Sequence, residues 1–134
     1  MKKIVIIAVV LFSVNFFASA QKGNAIEVLY FKANLACCKA KSCNALEADV
    51  QKIVSENFKD GSVVFKEVKL ADEANKELVE KYKAQSQTVV IVKKKKKKET
   101  AVDVSELMKN YLQTQDKEAL QKQFLAKVEE VKKK

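Results

Sequence analysis

One α/β domain built on a mixed four-stranded sheet is predicted by three observations. Runs rich in β-branched and aromatic residues alternate with segments of helical period. The first two such runs flank a helix long enough to make them parallel. The last two are separated only by a short lysine run, which makes them an antiparallel hairpin.

Ile26 to Lys32 (Ile-Glu-Val-Leu-Tyr-Phe-Lys) reads as a first, central strand. Ala33 to Lys41 carries two cysteines and little periodicity, so it reads as a loop. Leu46, Val50, Ile53, Val54 and Phe58 recur at spacings of three and four and define the buried stripe of a helix from about Ser42, its expected N-cap, to Phe58. Asp60-Gly61 makes a turn, and Ser62 to Leu70 a second strand. Asp72 is placed to cap a second helix reaching about Tyr82, with Leu78, Val79 and Tyr82 inward. Thr88 to Val92 and Thr100 to Val104 are the third and fourth strands. A short helical segment over Ser105 to Leu112 follows. The last helix is capped by Asp116 and striped by Leu120, Phe124, Val128 and Val131. A mixed four-stranded sheet flanked by helices in this order is the thioredoxin-like arrangement.

The N-terminus predicts export. Lys2 and Lys3 precede an almost wholly apolar stretch from Ile4 to Ala18, and Ala18-Ser19-Ala20 supplies the small residues a signal peptidase requires. The stretch is short of the ~20 residues that span a bilayer comfortably. Residues 1–20 are therefore read as a removable signal peptide, with an uncleaved membrane anchor as the alternative, 21–25 as a polar leader, 26–131 as the domain and 132–134 as a basic tail. The expected destination is the periplasm or the extracellular space.

Composition excludes several chemistries. The chain has no histidine, so it has neither Ser-His-Asp nor Cys-His catalysis. Its only glycines are Gly23 and Gly61, too few for a phosphate-cradling loop. Formal charge is +9, and all 26 basic residues are lysine. Arginine, the residue that reads phosphate and base edges bidentately, is absent, which argues against specific nucleic-acid recognition and leaves attraction to anionic surfaces.

Three cysteines remain, Cys37, Cys38 and Cys43, between the first strand and the first helix. A helix N-terminus stabilises a thiolate through free amides and the dipole, and Lys39 and Lys41 push the same way. An odd count in an oxidising compartment allows one internal disulfide with a leftover thiol, or three ligands for a soft ion. Five residues of continuous helix would set Cys38 and Cys43 ~7.5 Å apart along the axis and ~140° around it. A bridge between them therefore requires looped backbone. Cys38 with Cys43, or Cys37 with Cys43, is the expected redox pair. The same three thiolates suit copper(I), zinc or trivalent arsenic as a non-catalytic binding module. Cys43 also continues the Leu46 and Val50 spacing, which makes it a candidate member of the helix's core stripe.

Val28-Leu29-Tyr30-Phe31, Cys43-Asn44-Ala45-Leu46-Glu47, Asp60-Gly61 through Phe65, and Tyr82 through Thr88 together resemble the exported thioredoxin-like proteins of the ArsF-like family, over roughly Ile26 to Val131. The resemblance implies a thioredoxin fold, thiol–disulfide chemistry with a thiol- or disulfide-bearing protein partner, and a C-x-x-C motif at the first helix. Cys43, Ala45, Leu46 and Glu47 match the second half of that motif. Ala40 stands three residues before Cys43, as in a lengthened loop. Thioredoxins place a cis-proline before the third strand, facing the cysteines; here the chain has no proline, and Gln87 and Thr88 occupy that loop. A cis bond before a non-proline residue costs ~2.5 to 4 kcal/mol, so the Ser86–Gln87 peptide is expected to be trans. Glu47, one helical turn after Cys43, is a candidate proton relay.

Lys93 to Lys98 falls at the expected hairpin tip. Such a run protects a sheet edge, or contacts an anionic surface.

Overall fold

The computed structural model describes residues 25–34 and 37–134, with residues 37–40 described in backbone only. The expected signal peptide, most of the polar leader and the side chains of Cys37 and Cys38 lie outside the described residues.

The strands are β1 (Ile26–Lys32), β2 (Val63–Lys69), β3 (Val89–Lys95) and β4 (Lys98–Asp103), and the helices are α1 (Cys37–Asn57), α2 (Lys76–Lys81), α3 (Ser105–Thr114) and α4 (Lys117–Lys133). The sheet order is β2-β1-β3-β4. β1 and β2 are parallel, with Ile26 opposite Val63; β1 and β3 are antiparallel, with Ile26 opposite Lys93; β3 and β4 form the hairpin. This is the thioredoxin-like α/β arrangement that the order of elements predicts.

The period of two in β1 and β3 sorts their side chains onto two cores. Ile26, Val28, Tyr30, Val89 and Ile91 pack with Leu46, Val50, Val54, Met108, Phe124 and Val128, which puts α1, α3 and α4 on one face. Leu29, Phe31, Val90 and Val92 point the other way, onto Leu78, Val79 and Tyr82 at α2. Both faces being covered, β1 and the first four residues of β3, Val89 to Val92, are apolar almost without interruption.

Four boundaries differ from the sequence expectation. α1 starts at Cys37 rather than after Ser42, so the cysteine-bearing stretch is helix and not loop. Lys, Ala and Ser between the cysteines carry no apolar period yet are compatible with helix, and the stripe that begins at Cys43 anchors the extra turns. Asp72 does cap, accepting from the Ala74 amide at 3.0 Å, but the cap opens a 3-10 turn, Glu73–Asn75, that precedes α2. The third strand runs on through Lys95 and the fourth starts at Lys98, so the lysine run is largely strand. Lys132 and Lys133 belong to α4 rather than to a separate tail. Among the described residues no helix is long and apolar enough to cross a membrane.

Candidate functional site

The carboxyl end of β1, the first turns of α1 and the loop before β3 meet at Cys43. Its side chain is 5% exposed and belongs to the same face of α1 as Leu46 and Val50, which are fully buried. The core-stripe reading of Cys43 therefore holds, and the thiol is free among the described residues.

Gln87 reaches that sulfur from the opposite side. Its Nε2 donates to Cys43 Sγ at 3.0 Å. The loop geometry makes the reach possible: Gln87 has φ 69°, its backbone amide donates to Phe31 O at 2.9 Å, and the Phe31 amide donates to Thr88 O at 2.9 Å. Two backbone bonds thus pin the loop to β1, and the left-handed residue between them turns its side chain toward α1. Thr88 Oγ1 accepts from the Gln85 amide at 3.0 Å, so this hydroxyl closes the turn. The Ser86–Gln87 peptide is trans, as expected, there being no cis bond among the described residues. Beside the loop opens a groove of about 460 Å³ lined by Ser86, Gln87, Thr88, Ser105 and Met108 among others. Ser86 Oγ is buried there without a hydrogen-bond partner among the described residues.

Tyr30 fixes the other side. Its hydroxyl donates to the Cys43 carbonyl at 3.0 Å, across thirteen residues of sequence. Burial, then the nearby Cys43 and Glu47, pushes the phenol well above its ordinary range. Tyr30 is therefore a neutral donor throughout the physiological range.

Glu47, the expected relay, is the hub of a charged cluster. Lys32 Nζ lies 2.6 Å from one Glu47 oxygen and 3.5 Å from Glu67. Burial raises the Glu47 carboxyl above its usual range, and Glu67 adds to the rise while Lys32 opposes it. Glu67 moves the other way, lowered by the neighbouring Glu47 and by Lys32 and Lys69 beside it. Lys32 thus sits between two carboxyls whose shifts run in opposite directions.

Cys37 and Cys38 occupy the first turn of α1. With the backbone helical through Cys43, the condition for an internal bridge, looped residues between the cysteines, is not met in this conformation. Among the described residues no cluster of three or more metal-ligating side chains occurs.

Sequence reasoning missed Tyr30, Lys32 and Asp49. A tyrosine inside a central strand is a signal, because a buried hydroxyl requires a partner. Asp49 accepts from Tyr111 Oη at 2.6 Å and Lys117 Nζ at 2.9 Å, which ties α1 to α3 and α4; nothing in the local pattern announces it. Burial opposes ionisation of Asp49, but these two donors outweigh it and hold the carboxyl below its ordinary range.

No family model matches the chain, and no curated protein does either. A solved structure described as "Structure of a malarial protein" is similar with a TM-score of 0.41 and 23% identity, over 60% of this chain and 81% of that one.

Proposed function

We propose that this chain is an exported thioredoxin-like protein, of the kind the ArsF-like resemblance implies, that exchanges disulfides with a partner protein through the cysteines of α1. The observation that carries the reading is the 3.0 Å contact between Gln87 Nε2 and Cys43 Sγ. It joins the loop that faces the cysteines in thioredoxins to the one cysteine that matches the family's motif.

The helical first turns give the two ends of the site different tasks. Cys37 and Cys38 stand at the helix start, where free amides and the dipole favour thiolate. One of these thiolates attacks a sulfur of the partner's disulfide. The partner's other sulfur leaves as thiolate, and a mixed disulfide forms. Cys43 resolves it when the first turns of α1 unwind, reducing the partner and leaving Cys43 bridged to Cys37 or Cys38. Glu47 supplies or accepts the proton nearby.

Alkylation and mass analysis of protein isolated from its native compartment, with and without reductant, is the test. A reductant-dependent gain of two reactive thiols, or a mixed disulfide retained by Cys43→Ser, is expected. Three reduced cysteines in every preparation would sink redox chemistry. Stoichiometric copper(I), zinc or arsenite uptake abolished by the triple Cys→Ser variant would instead favour the soft-ion module.

A further inference from the structure

Lysines from two distant parts of the chain converge at the end of the sheet opposite the cysteines. Lys93 pairs with Ile26 at the start of β1, whereas Cys43 and Gln87 sit beyond its far end. The end of α4 joins the same pole: Lys93 Nζ donates to Lys132 O at 2.6 Å, and Lys132 Nζ lies 4.8 Å from the centre of the Phe58 ring at the end of α1. Lys93 to Lys98 and Lys132 to Lys134 thus share one surface.

Local chemistry at this pole runs against folding stability. Lys95 faces Lys98 directly in the hairpin register, and like charges so placed repel. Lys96 turns the chain at φ 53°, in the left-handed region where glycine or asparagine is the ordinary choice. Glu27 and Glu129 ion-pair with Lys94 and Lys132, and Glu130 with Lys134. Among the described residues no ion pair engages Lys95, Lys96, Lys97 or Lys98. An unfavourable tip with unspent charge is the pattern of a surface kept for a polyanion.

We infer that this lysine pole docks on an anionic lipid surface, with the cysteine end facing away from it. The chain itself favours lipid. Ile26 enters the fold at the pole, and the apolar stretch Ile4 to Ala18 ends eight residues earlier, so while that stretch lies in a membrane the start of β1, and with it the pole, stays within ~29 Å of the headgroups. Lysine point charges match mobile phosphate headgroups, whereas base reading calls for arginine forks. Val64 is the one large apolar side chain standing well exposed among the described residues, and it lies on β2, so attachment is electrostatic rather than insertive.

Flotation of the full chain with vesicles of phosphatidylcholine alone, or mixed with phosphatidylglycerol, tests this. Binding should be stronger on the mixed vesicles, and that excess should vanish as salt shortens the Debye length from ~10 Å at 0.1 M to ~3 Å at 1 M. Replacing Lys95, Lys97 and Lys98 by Gln and Lys96 by Gly should cut the excess about tenfold or more. Replacing Lys69, Lys76, Lys83 and Lys109 by Gln should change it less than about twofold, with thermal melting confirming that both variants fold. Equal loss in both variants would reduce the effect to net charge and overturn the pole. Equal binding to both vesicle types, or tighter binding to an anionic polysaccharide or polynucleotide than to the mixed vesicles, would overturn the lipid assignment.

Discussion

Tyr30 in the central strand holds the backbone of Cys43 in α1, its hydroxyl 3.0 Å from the Cys43 carbonyl. The bond crosses from sheet to helix at the turn that carries the sulfur, so the position of the thiol depends on a phenol that must stay protonated. Tyr30→Phe should destabilise the fold by about 1 kcal/mol, the usual net worth of a buried hydrogen bond, read as a lower urea midpoint. The pH dependence has a definite sign. A phenol raised in the folded state binds its proton more tightly than the unfolded chain does, so its stabilisation is full below the unfolded value of ~10 and is lost as pH rises beyond it. The wild type should therefore lose stability above about pH 10 more steeply than Tyr30→Phe.

Removing the cation between the two carboxyls should expose their mutual repulsion. Lys32→Met leaves Glu47 and Glu67 facing each other, and stability at neutral pH should fall by about 1 kcal/mol, a figure kept small because the lysine is 28% exposed. Glu47 is already raised, so its proton is held more tightly in the folded state. Acidification toward pH 4 should recover much of the loss, and denaturation midpoints across that range measure it.

Lys96→Gly should stabilise the hairpin. A non-glycine residue at φ 53° carries a backbone cost of about 1 kcal/mol, and the substitution also removes one of the crowded charges. Thermal melting should rise by roughly 4 to 8 °C.

Asp116 accepts from the Ala119 amide at 2.9 Å and caps α4. Asp116→Ala should cost about 1 kcal/mol. Hydrogen exchange should quicken first in the opening turn of α4, with β1 amides protected until global unfolding.

Much of this arrangement was legible in the sequence, because the signals were local. β1 was readable to the residue, since a buried central strand is mostly apolar and rich in β-branched and aromatic residues. The stripes at Leu46 and Val50 and at Leu120, Phe124, Val128 and Val131 identified the buried faces of α1 and α4. The start of α1 was not legible, because polar residues between cysteines fit loop and helix equally well. The opposing Gln87 was placed by analogy of position, and its donor contact with the sulfur depends on a left-handed backbone that no glycine signalled. The Lys32–Glu47 and Asp49–Tyr111 ties join residues 15 and 62 apart, and long-range pairing of that kind leaves no periodic trace.

The closing wall of the larger core is made by α4, the last segment of the chain, through Phe124, Val128 and Val131. A polypeptide emerging N-terminus first can pair β1 with β2 early, but the apolar face of that pair stays wet until residues 117–133 arrive. Until then the larger core cannot close, and its apolar residues stay open to non-native contacts.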